Sequence, residues 1–88
     1  MIPAFRRDSN EIVGAARASM IELISLEQMP GGRFQLTAKV GTGDSVFITP
    51  IIQDFQWAMR TLEQMRRYLG GEGALPDVLE TPTEPPAL

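Results

Sequence analysis

The chain has 88 residues, 43% of them hydrophobic, with a net charge of −3 and neither cysteine nor histidine. That length allows one small domain, which buries only about 60–65% of the surface its unfolded chain exposes. The missing residue types exclude disulfide staples, an imidazole base, a thiolate nucleophile and the usual zinc sites.

The net charge is unevenly spread. Residues 1–70 hold all eight basic and seven acidic residues, a balance of +1, whereas residues 71–88 hold Glu72, Asp77, Glu80 and Glu84 and no cation, a balance of −4. The stretch 71–88 also carries four of the seven prolines, so it is expected to be a disordered acidic appendage to a domain spanning 1–70. Leu75, Val78 and Leu79 within it offer a short docking peptide as an alternative use. No apolar run approaches the roughly 20 residues of a membrane span, and Met1–Ser19 lacks the apolar centre of a secretory signal. A cytoplasmic location without membrane contact is the expectation.

In chain order, the opening Ile2, Pro3 and Phe5 read as an apolar arm that docks on the domain or on a neighbouring copy. Asp8 or Ser9 can cap a short helix with Ile12, Val13 and Ala16 facing inward, although Gly14 weakens it by about 1 kcal/mol relative to alanine. Residues 20–28 admit two readings. Helical spacing joins Ile12, Ala16, Met20 and Leu23 or Ile24 into a long helix over 9–28, giving an α-β-β-α chain. Alternation instead places Ile21 and Leu23 on one face of a strand and Ile24 and Leu26 on the other, and we take this second reading.

Met29-Pro30-Gly31-Gly32 is a turn, and 33–40 alternates cleanly, with Phe34, Leu36, Ala38 and Val40 against Arg33, Gln35, Thr37 and Lys39. Gly41–Asp44 suits a hairpin connection to a third strand over 45–49, in which Val46 and Ile48 continue the inward face. Read as a phosphate-cradling loop, Gly41–Ser45 lacks the lysine and the following helix that such chemistry needs.

The strongest signal spans 49–70. Thr49 can cap a helix whose first position is Pro50, Gly70 and Gly71 can close it, and Arg66 and Arg67 suit its negative end. Ile51, Phe55, Ala58, Leu62, Met65 and Leu69 form one apolar stripe, widened by Ile52 and Met59. A second line, Trp57, Thr61, Gln64 and Tyr68, lies about a third of a turn away. The predicted fold is therefore α+β: a three-stranded antiparallel meander near 20–28, 33–40 and 45–49, packed on a helix over 50–69 and preceded by a short helix or arm.

No chemistry emerges from the carboxylates. Asp54 and Glu63 lie on opposite sides of one helix, and Glu22 and Glu27 fall on opposite strand faces. The reading is a non-enzymatic protein-interaction module with no cofactor and no metal. It self-associates through the long helix, an open sheet edge or both, and acts as a subunit, adaptor or stoichiometric inhibitor of a larger complex. Its contact line would be Trp57, Thr61, Gln64 and Tyr68, rimmed by Arg60 and Arg67, because aromatics and arginine are enriched at interface centres. The alternative is weak nucleic-acid binding through Arg60, Arg66 and Arg67 of the helix and Arg33 and Lys39 of the sheet, disfavoured by so few cations.

Overall fold

In a computed structural model of the chain, residues 1–73 and 75 are described. They form an α+β structure in which a five-stranded antiparallel sheet carries one helix. The strands are β1 (Ile2–Phe5), β2 (Ile12–Ala16), β3 (Ile21–Met29), β4 (Arg33–Val40) and β5 (Ser45–Phe47), followed by α1 (Phe55–Leu69). Their order across the sheet is β2-β1-β5-β4-β3.

The central meander matches the sequence reading. β3 and β4 pair from Ile21↔Val40 to Met29↔Arg33 around the Pro30-Gly31-Gly32 turn. β4 and β5 pair through Thr37↔Phe47 to Lys39↔Ser45 around Gly41–Asp44. Phe34, Leu36 and Ala38 are buried, as their alternation requires. The alternative of a long helix over 9–28 is ruled out, because β3 occupies 21–29. The β-branched and apolar residues of β3 find a strand partner just across a three-residue turn, which outweighs their helical spacing.

The opening differs from expectation. In place of a short α-helix or an arm, residues 2–5 and 12–16 make a β-hairpin that extends the sheet from three strands to five, and only a single 3-10 turn at Ala18–Met20 is helical there. Ile2 and Phe5 do dock on the domain, fully inside the core. Ile12 and Val13, expected to face inward, lie on the outermost strand and are exposed. The hairpin joins the meander through one ladder pair, Phe5↔Phe47.

The helix begins five residues later than its sequence signals suggest. Thr49 is not its cap: the Thr49 hydroxyl is buried and accepts the Leu36 N–H at 3.0 Å. Ile52 then bridges back to Phe34 with two backbone bonds of 2.8 Å, so residues 49–53 run as an extended connector. Asp54 is the true cap, accepting from the Trp57 N–H at 2.8 Å. At the far end the Gly71 N–H donates to the Tyr68 carbonyl at 3.1 Å and the Glu72 N–H to the Arg67 carbonyl at 2.8 Å. That Schellman closure needs a left-handed residue, and Gly71 supplies it with φ 86°.

One continuous core results, built from Ile2, Phe5, Ile24, Phe34, Leu36, Ala38, Ile48, Ile52, Ala58, Leu62 and Met65. Of the expected acidic tail, only Glu72, Gly73 and Leu75 beyond Gly71 are described; Leu75 packs against this core, while Val78, Leu79 and the proline-rich end lie outside the described residues.

Candidate interaction surface

Two features of the opening hairpin set its position. The first is the segment Arg6–Glu11, which turns from β1 to β2 and folds over the end of β4. Gln35, on the strand face expected to be polar, is completely buried beneath it. Its Oε1 accepts from the Asp8 N–H at 2.7 Å. Its Nε2 faces the carbonyls of Arg6, Ser9 and Thr49 at 3.2, 3.2 and 3.0 Å, so two amide hydrogens are shared among three acceptors. Burying an amide in this way is tolerated because each of its polar atoms is satisfied.

Around that buried amide, the exposed side chains add three ion pairs. Arg33 reaches Asp8 with both Nε and Nη2, at 2.8 and 3.0 Å. The hydrogen bonds that Arg33 donates to Asp8, and then the Asp8 charge, push its guanidinium further above its already basic range. Arg6 meets Glu11 at 2.7 Å and Arg7 meets Glu27 at 3.1 Å. Arg7 also lies over the Phe47 ring, 5.6 Å from its centre. Finally the Asn10 side chain accepts from the Ile51 N–H at 2.9 Å. Exposed pairs of this kind contribute little singly, but together they fix the path of the segment.

The second feature is β2 itself. Nothing pairs with its outer side among the described residues, and its five residues, Ile-Val-Gly-Ala-Ala, include no charge and no proline. Ile12 and Val13 are 53% and 54% exposed. The register passes from Ala4↔Gly14 to Phe5↔Ile12, so Val13 is the extra residue of a bulge. Edge strands usually carry charges to discourage pairing, and the opposite edge, β3, does so with Glu22 and Glu27. The charges of β2 are instead at its two ends, Glu11 and Arg17.

The line proposed from sequence is divided by the structure. Thr61 is buried, and its hydroxyl donates to the Trp57 carbonyl at 2.8 Å. Trp57 and Tyr68 are half-buried and pack against the core. Gln64, Arg60 and Arg67 are exposed, with Arg67 paired to Glu63 at 3.6 Å. On the other flank Phe55 and Met59 are 55% and 41% exposed, although they were assigned to the buried stripe. The helix is thus turned toward the Trp57–Tyr68 side. Thr61 and Phe55 each lie about 60° from Ala58, so hydropathy alone selects Phe55. The intrahelical hydroxyl bond lets Thr61 take the inner place, while Phe55 leans on Phe34 with ring centres 5.6 Å apart.

The cations do not converge. Lys39 and Arg33 belong to the sheet face away from the helix, and Arg33 is already held by Asp8. Along the helix, an open depression of about 540 Å³ is lined by Met59, Leu62, Glu63, Arg66, Arg67, Gly70 and Glu72, a mixture of both signs. Among the described residues no three acidic side chains are grouped to hold a metal ion, and no helix is long and apolar enough to cross a membrane. Comparison with known proteins gives no match to any family model, curated protein or solved structure.

The sequence reading expects an open sheet edge but not β2, which the opening hairpin adds as the outermost strand. Its signal was present in Glu11–Arg17: a β-branched pair and small residues with no interior charge, bracketed by opposite charges. Gly14 read as a flaw in a helix rather than as a clue to a strand.

Proposed function

We propose that this chain is a non-enzymatic protein-interaction module that pairs with a second copy of itself, as a subunit, adaptor or stoichiometric inhibitor within a larger assembly. The observation that carries the reading is the β2 edge, uncovered among the described residues, uncharged along its length and with both large side chains more than half exposed. A sheet edge of that kind presents unpaired N–H and C=O groups together with apolar side chains, the two elements that strand addition uses.

The test is the solution mass of the full chain by light scattering over a concentration series from about 10 μM to 1 mM, which reads dissociation constants from the micromolar to the millimolar range. A mass rising toward twice that of one chain supports the reading. A single-chain mass throughout refutes it.

A further inference from the structure

The β2 edge also carries information about how a second copy would sit on it. Resting on the self-association proposed above, we infer that two copies join antiparallel through β2 about a two-fold axis at Gly14, turning two five-stranded sheets into one continuous sheet. Three features of Glu11–Arg17 point to that arrangement.

The first is charge. In antiparallel pairing about residue 14, position 11 lies opposite position 17, so Glu11 faces the partner's Arg17 at both ends of the junction. Arg17 makes no ion pair among the described residues. Glu11, already bonded to Arg6, is exposed and has a second oxygen to offer. Parallel pairing in register would set Glu11 on Glu11 and Arg17 on Arg17, which is unfavourable.

The second is size. The same register sets Ile12 against the partner's Ala16 and Val13 against the partner's Ala15, with Gly14 against its own copy. Each large residue meets a small one, and these small residues leave room for the bulge at Val13. The bulge shortens the regular ladder, so the junction is reversible rather than permanent. The third is the alternative edge. β3 holds two glutamates and no cation, so joining β3 to β3 collects like charge.

The chain's lack of cysteine makes the test direct. Gly14→Cys is accommodated, because a Cβ there meets only the Ala4 Cβ at 4.0 Å and the backbone is not left-handed. Directly opposed Cα atoms in an antiparallel pair are about 4.5–5.5 Å apart, inside the roughly 4.4–6.8 Å range of a disulfide. Mild oxidation should convert Gly14→Cys to a covalent dimer at least ten times faster than Ser45→Cys, an exposed control within the sheet.

A second experiment uses only exposed charges. The Glu11→Arg chain presents two cations to its own junction and the Arg17→Glu chain two anions, so each alone should dimerise at least tenfold more weakly. Mixed one to one they are complementary at both ends, and the mixture should recover the mass of the unaltered protein. If the full chain dimerises but Gly14→Cys links no faster than Ser45→Cys, or the mixture does not recover, the copies meet elsewhere. This inference then fails while self-association stands. If no dimer forms at any concentration, both fail.

Discussion

Replacing Gln35 by methionine should cost far more than its place on a strand's polar face suggests. Methionine keeps the length and unbranched shape of glutamine, so the change removes polar atoms without opening a cavity. The Asp8 N–H loses its acceptor, and the carbonyls of Arg6, Ser9 and Thr49 lose their donor. Thr49 is fully buried, so its carbonyl is left without a partner in the interior. An unsatisfied buried group costs about 1–3 kcal/mol, and a typical exchanged bond about 1 kcal/mol. Taking one of the former and one or two of the latter gives about 3 kcal/mol. For a chain of this size that lowers the midpoint of a thermal melt by about 12–24 °C. Thr37→Val, two residues along β4, removes only exposed contacts with Ser25, to its hydroxyl at 2.9 Å and to its carbonyl at 3.5 Å, and should cost less than about 1 kcal/mol. Circular dichroism melts of both variants decide the matter. A Gln35→Met chain no less stable than Thr37→Val would mean that the buried amide does not hold the 6–11 segment in place.

Two further substitutions separate the real helix cap from the apparent one. Asp54→Ala should cost about 1 kcal/mol, whereas Thr49→Val should cost about 1–3 kcal/mol by stranding the buried Leu36 N–H; urea titrations showing no loss for Thr49→Val would remove its assigned role. Trp57→Ala and Tyr68→Ala should each lower stability by about 2 kcal/mol, below the full cost of a completely buried aromatic. Arg60→Ala and Arg67→Ala on the exposed side should stay within about 0.5 kcal/mol, and equal stabilities across the four chains would return the aromatics to the surface.

What the sequence makes legible is the part of the fold whose partners are near in the chain. β4 reads correctly because an apolar face next to a polar one imposes strict alternation, and its neighbours β3 and β5 lie a turn away on either side. The helix reads correctly in its body, where Ala58, Leu62 and Met65 repeat at helical spacing. Its beginning does not, because a threonine followed by proline is equally at home in a buried connector, and only the distant Leu36 decides what the Thr49 hydroxyl does. The hairpin of β1 and β2 was missed for a related reason. β1 is four residues long and includes a proline, and its one ladder partner in the meander, Phe47, is 42 positions away. Gln35 sits in a polar slot of the alternating pattern, yet it is buried by a loop that no local periodicity announces. The angles that align Trp57, Thr61, Gln64 and Tyr68 hold on the helix, and within that line Thr61 is buried with its hydroxyl donating to the Trp57 carbonyl.

The seam at Phe5 and Phe47 has a further consequence. Along the backbone the first hairpin is fastened to the rest of the sheet at a single point, while its hold on the core comes from the Ile2 and Phe5 side chains and from Gln35. Such a hairpin is expected to open as a unit, at a lower free energy than the meander and helix. Amides of residues 12–16 should then exchange with solvent sooner than those of residues 34–38. A second copy laid along β2 would close that gap by taking up the outer amides directly. Association would thus be recorded first as slowed exchange in the very strand that is loosest in the lone chain.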